Sequence, residues 1–405
     1  MKRHLLLLFA CILSTVLRAE EITVDGIKYE IDPTEKTATV AKNKYFSGDL
    51  VVPSSILYND ETYNVLSIGA WAFDCADVKS AVISDGVKEI AYSAFFGCSN
   101  MVSITLPPSI TSIGRDAFVN CKKLVTVYIT DLEAWLNINF AAQESNPLFH
   151  AKDLYLNGEI LTDLVIPSNI TTIGNYVFTT YSNLTSLAIH EEVTSIGDAA
   201  FSGCKNLSAL YIPNKVISIG ASAFGGCTGL TSLHIGESVK RIGRSAFSGC
   251  TGLDLLVVPN SVTWIGASSF YKCSNIKKIY LGKAVTTIDP EAFQYCSSME
   301  DFYSFAEEVP ALVNNSAFWM SSTASATLHV PASLLDSYKQ SPYAWTRFGS
   351  IVSLTDEETS VKTISIDNNE QTYYSLNGQT FTTPHRGIVI VKSPNGMTKK
   401  IIVKK

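Results

Sequence analysis

Residues 193–213 read VTSIGDAAFSGCKNLSALYIP, and the pattern returns with small changes at 216–235, 239–258 and 262–281. The step is 23 residues: Ile196 and Gly197 recur as Ile219 and Gly220, Phe201 as Phe224, Cys204 as Cys227, and again in the next two copies. Each copy closes on an apolar triplet such as Leu230, Leu233 and Ile235. A fixed period of this length marks a solenoid, because one repeat cannot bury its own apolar face and stacks on the next.

Within a frame each part has a mechanical reason. Pro213 ends a strand, since proline cannot donate to a ladder. Val216 and Ile219 are expected to point into the core, and Gly220 to take a positive φ. Residues 221–224 are expected to form one helical turn with Phe224 as its buried plug. In the strand 230–235, Leu233 and Ile235 share the buried face, and Ser232 and His234 share the outer one.

Followed outward, the phenylalanine column runs from Phe73 to Phe318 and assigns an array of about ten frames to 65–305. Between Phe118 and Phe178 the step is 60, one frame plus 37 residues. This enlarged repeat, centred on 131–158, carries a short helix capped by Asp131 and a tight turn at Asn157 and Gly158. It reads either as a tolerated enlargement bulging outward or as a specific binding lobe, with Trp135 as an aromatic platform.

The ends differ from the array. Residues 1–19 carry a basic start, a run of mostly apolar residues at 5–16, and Ala19 at a cleavage point, which is the layout of a signal peptide. A lipoprotein signal ending at Cys11 is the alternative. The apolar run is too short to span a bilayer, so no transmembrane span is expected. Residues 20–64 read as a β-rich N-terminal cap, with a hairpin at Asp25 and Gly26. Residues 306–354 read as a C-terminal cap with a helix at 334–340 and Ser333 as its N-cap. Residues 355–362 are polar and acidic, a linker by composition, and 363–405 return to strands as a β tail.

Composition narrows the function. The net charge of −6 argues against nucleic acid, which needs a basic face. Leaving Cys11 aside, eight cysteines are expected to share one slot of the repeat. Strands stacked roughly 4.8 Å apart hold parallel side chains farther apart than the ~3.8 Å between Cβ atoms that a disulfide prefers. The column therefore reads as buried, reduced thiols rather than disulfides or a metal site. No HExxH, GxSxG, P-loop or GxGxxG motif occurs. No catalytic residue, metal or cofactor is assigned, and the chain is not expected to be an enzyme.

The sequence resembles the BspA-type leucine-rich repeat surface proteins of anaerobic bacteria. Residues 193–213 and their copies carry the resemblance over 65–305, and the piece at 132–159 (LEAWLNI…SNPL…LYLNGE) looks like a variant repeat of that family. The resemblance implies a leucine-rich repeat solenoid, with a short strand plus a turn or short helix per repeat. It also implies an adhesin-like surface protein that binds host or bacterial proteins. The tail, through YSLNGQ and GIVIVKSPNGMTKKIIVKK, is similar to the C-terminal sorting domains of the type IX secretion route. A small β appendage with no address remains the other reading.

The candidate site is the outer column of the strands. Its middle position carries Tyr128, Tyr211, His234, Tyr280 and Tyr303; the position two residues earlier carries Ser232, Lys278 and Asp301. Tyrosine joins an apolar body to a polar tip, which suits protein or sugar surfaces. It also has a strand preference that would place it there without a ligand. The expected partner is a host or bacterial surface protein, with a glycan of nutrient capture as the alternative. A monomer is expected, exported to the cell surface, the outer membrane or the medium.

Overall fold

The computed structural model describes residues 20–342 and 344–359, and the backbone of four strands in the tail, Thr372–Tyr374, Thr380–Phe381, Gly387–Lys392 and Thr398–Val403. The leader at 1–19 with Cys11, and the tail turns at Asn377, Gly378, Asn395 and Gly396, lie outside the described residues.

The chain winds as a parallel β-solenoid of about 14 turns with little helix. That exceeds the ten frames counted from phenylalanine, because the strands Ser47–Val52, Asp153–Leu156, Asp163–Val165 and Ser350–Ser353 add turns without a phenylalanine of the column in their own frame.

Three backbone ladders hold one coil to the next. In the long ladder, Ala209–Tyr211 pairs with Ser232–His234, Leu210 opposite Leu233. In the short ladder, Ser218–Ile219 pairs with Ser195–Ile196 before it and Arg241–Ile242 after it. The third ladder runs through the turn. Ser222, Phe224 and Gly226 donate their N–H groups to Arg244, Ala246 and Ser248 of the next coil, at 2.7, 2.8 and 2.6 Å. The intervening Ala223, Gly225 and Cys227 fold back on Gly220, Ser222 and Phe224.

This alternation is why residues 221–224 are not the expected helical turn. Alternate N–H groups leave the coil, so both local and inter-coil partners are satisfied. The geometry requires left-handed residues, Ser222 at φ 53° and Gly226 at φ 74°. Gly220 does not have the positive φ expected of it. It is needed for close approach: a Cβ there would lie 2.5 Å from the carbonyl carbon of Gly197.

Inside the coils the phenylalanines stack in two files. Phe73, Phe95 and Phe118 form one, and Phe178, Phe201, Phe224, Phe247, Phe270, Phe293 and Phe318 form the other, with centroids 5.3–5.7 Å apart. Burying each ring is worth roughly 1.5–3 kcal/mol. Beside them seven thiols, Cys98, Cys121, Cys204, Cys227, Cys250, Cys273 and Cys296, each donate to the phenylalanine carbonyl one coil back, at 3.1–3.4 Å. The cysteines are free, as the column reading expects. Cys75 departs from it. It is exposed and left-handed (φ 55°), in the slot that Gly97 fills one coil later, while Ala76 takes the buried slot.

The ends are closed differently. At the N-terminus Glu20–Val24 and Ile27–Asp32 form a hairpin through Asp25 and Gly26, and Thr37–Val40 joins it to the short ladder by pairing in parallel with Glu61–Ile68. At the C-terminus Tyr338, Trp345 and Phe348 pack over the last rings, with Trp345 5.1 Å from Phe318 and its Nε1 donating to Pro310 O at 3.1 Å. The helix there is Leu335–Lys339. Leu334 holds its N-cap position with no side-chain bond, so Ser333 is not the cap.

The enlarged repeat does not bulge as a lobe. Its helix Leu132–Leu136 starts at Asp131, whose carboxylate accepts from Ala134 N at 3.0 Å. Trp135, Leu136, Phe140, Leu148 and Leu154 all enter the common core. The short ladder stops at Asn139–Phe140 and resumes at Thr172–Ile173; the long ladder stops at the Asp153–Leu156/Glu159–Ile160 hairpin and resumes at Asp163–Val165. Side chains bridge the gap. Trp135 Nε1 donates to Val177 O at 3.0 Å, Asn146 Nδ2 to Tyr176 O at 2.8 Å, and Thr180 Oγ1 to Leu148 O at 2.6 Å.

Candidate functional site

The long ladder brings the residues at the middle outward position into register in four runs, with breaks at the enlarged repeat, between Ala188 and Tyr211, and between His234 and Val257. From the N-terminal end it runs Val51, Val82, Thr105, Tyr128 and Tyr155, and after the enlarged repeat Val165, Ala188, Tyr211 and His234. Val257, Tyr280, Tyr303, His329 and Val352 complete it.

The rings associate locally rather than as one strip. Tyr128 and Tyr155 are 5.3 Å apart and tilted, and Tyr128 is 40% exposed. Tyr211 and His234 stack at 4.7 Å with planes 7° apart, and the Tyr211 hydroxyl lies 3.1 Å from Glu191 Oε1. Ser232 sits on the same strand, opposite Ala209.

At the C-terminal end the expected open file is covered. Tyr280 is 1% exposed and Tyr303 7%, in a small cluster of their own with Leu255, Val257, Phe305 and Leu354. Tyr280 stacks on Tyr303 at 4.5 Å, and Tyr303 on His329 at 4.2 Å. Lys278 and Asp301 form an ion pair at 2.8 Å, and His329 bridges Asp301 at 3.2 Å and Glu358 at 3.3 Å. Burial pushes the Asp301 carboxyl up, but the hydrogen bonds from Lys278 and His329 outweigh it and hold the group below the ordinary carboxylate range. The segment read as a linker folds here as a helical turn, Asp356–Thr359, which brings Glu358 onto the face. Tyr280 and Tyr303 therefore lie under a lid of their own chain.

Three participants lay outside the sequence reading. Tyr155 escaped because the enlarged repeat breaks the period, yet it pairs opposite Tyr128. His329 belongs to a strand already visible from its sequence, and aligning that strand with 301–304 would have found it. Nothing in the sequence places Glu358.

Burial, chiefly, raises the thiols; Cys121, Cys227 and Cys273 are pushed up to about 12. A thiol of that kind is not a nucleophile at neutral pH. Among the described residues no group of three or more His, Cys, Asp or Glu side chains is placed to hold a metal ion, and no helix is long and apolar enough to cross a membrane. Trp135, expected as a sugar platform, is buried and hydrogen-bonded within the core.

The family described as the BspA type leucine-rich repeat region matches six copies, over residues 58–144, 151–239 and 218–338. No curated protein matches the chain. Among solved structures, the chain is similar to a leucine-rich repeat protein from Bacteroides ovatus, with 23% identity, 86% of this chain and 82% of that one covered, and a TM-score of 0.58. It is also similar to a leucine-rich cell surface protein from Faecalibacterium prausnitzii, with 21% identity, 84% and 96% covered, and a TM-score of 0.51. At these identities the likeness is one of fold.

Proposed function

We propose that this chain, which belongs to the BspA type leucine-rich repeat family, is an exported surface module that holds a host or bacterial surface protein against its strand face. The observation that carries the reading is the part-exposed ring pairs, Tyr128 with Tyr155 and Tyr211 with His234. They lie on the outer side of the coils, apart from the phenylalanine files that hold the core. Amphipathic rings on a rigid, repeated surface are the usual anchors of protein recognition.

The enclosed Tyr280 and Tyr303 are better placed to seat the C-terminal segment than to meet a partner. The leader at 1–19 supplies export in this reading, and the four-stranded tail delivers the chain to the surface. Protease shaving of intact cells that leaves the chain whole would overturn that location.

The test of the binding face is the double variant Tyr128→Ala/Tyr211→Ala. It is expected to bind immobilised host matrix protein and whole bacterial cells at least tenfold more weakly than wild type at unchanged melting temperature. Unchanged binding would remove the face from the mechanism.

A further inference from the structure

On the turn edge of the C-terminal coils, away from the strand face, lies a cleft of about 470 Å³. Ser245, Ser248 and Ser268 lie along one part of it; Tyr271, Tyr295 and Trp319 supply its rings. Glu291, whose carboxylate accepts from Ser268 Oγ at 3.0 Å, and Gln294 complete the lining. Tyr271 and Tyr295 meet edge to face at 5.5 Å, and Trp319 is 54% exposed. The volume falls within the range of small-molecule sites, about 300–1,000 Å³.

At the cleft the residue type in the turn changes. The second left-handed position of the turn is glycine in three successive coils, at Gly203, Gly226 and Gly249. In the next three it is Lys272, Tyr295 and Met320, at φ 56°, 61° and 58°. Side chains there carry a strain that glycine avoids. Earlier in the chain the same position is held by Cys75, Gly97, Asn120 and Thr180, and Thr180 has a structural use through its bond to Leu148 O. Tyr295 instead lines the cleft, and Lys272 holds its ammonium 5.2 and 5.7 Å from the ring centroids of Tyr271 and Tyr295.

We propose that this cleft binds the pyranose rings of a neutral oligosaccharide. A pyranose offers an apolar C–H face and a rim of hydroxyls. The three rings suit the face, and a carboxylate, an amide and three serine hydroxyls suit the rim. A peptide anchor needs an enclosed apolar recess, whereas this cleft is open and largely polar. Among the described residues Glu291 is the one ionised side chain of the lining, and the Lys272 ammonium held over the tyrosine rings offsets its charge, so the cleft has no net charge to favour an ionic sugar. The assignment does not rest on the strand-face reading, since the two sites share no residue.

The full-length chain should be applied to an array of neutral and sialylated oligosaccharides, and hits titrated by isothermal titration calorimetry, which reads binding with or without Trp319. Saturable binding to neutral pyranose glycans is expected, at least tenfold weaker in Trp319→Ala and in Tyr295→Gly. Tyr295→Gly should melt no lower than wild type, because glycine relieves the left-handed backbone, so its loss of binding is not a loss of fold. Tyr128→Ala/Tyr211→Ala should bind the sugar normally. The proposal is overturned if no array glycan binds, if sialylated glycans alone bind, if binding survives in both cleft variants, or if only peptides occupy the cleft.

Discussion

The coils from 193 to 296 and the enlarged coil from 131 to 166 solve the same problem by different means. In the regular coils the short ladder and the turn ladder repeat without interruption while the long ladder pairs in shorter runs, and each phenylalanine lies between two others. In the enlarged coil both β-ladders stop, no ring joins Phe118 to Phe178 among the described stacks, and indole, amide and hydroxyl groups reach across to the next coil. The lesson is that a solenoid tolerates a break in its period only where side chains satisfy the carbonyls that the ladder would have paired.

The largest test of this contrast is Phe224→Ala. The ring is fully buried between Phe201 and Phe247, so the loss is expected at about 3–5 kcal/mol in urea denaturation. Hydrogen exchange should rise in both neighbouring coils; exchange confined to one coil would break the view that the file acts as a unit.

Next comes Trp135→Phe in the enlarged coil. It keeps most of the ring and removes the Nε1 donor to Val177 O. Asn146 Nδ2 also reaches that oxygen, at 3.2 Å, so the expected cost is about 1 kcal/mol. Trp135→Phe combined with Asn146→Ala should cost about 2–3 kcal/mol, more than the sum of the two single changes, because the carbonyl is then orphaned. Simple additivity, read from melting curves, would show that the bridge is not shared.

The smallest test asks whether the regular coils are uniformly comfortable. Glu237, within them, is pushed up to about 7 by burial. A carboxyl with its folded value raised stabilises the fold fully below its ordinary value of about 4.3, and loses that contribution as pH rises through 7. Glu237→Gln should therefore be more stable than wild type by about 1–2 kcal/mol at pH 8 and by nothing at pH 4. Equal stability differences at both values would mean the carboxyl is not held in its neutral form.

Reading the sequence located the core slots well and the surface unevenly. The phenylalanine file and seven of its eight thiols fall where the period puts them, because burial between identical neighbours leaves little choice of residue. Cys75 misled because the first frame is one residue short, which moves it into a glycine slot. Gly220 misled because close contact and positive φ both select glycine, and a sequence does not say which applies. Tyr280 and Tyr303 occupy the outward column as read, yet Leu354 and Glu358 lie over that end of the face.

The sequence by itself determined the period, the buried slots and the direction in which each strand residue faces, since these follow from local geometry repeated every 23 residues. Only the tertiary structure decided which outward residues remain accessible. It also decided how the break at 131–166 is bridged and where Tyr271, Tyr295 and Trp319 open a cleft. Those outcomes depend on contacts between segments that share no period, and a one-dimensional pattern carries no record of them.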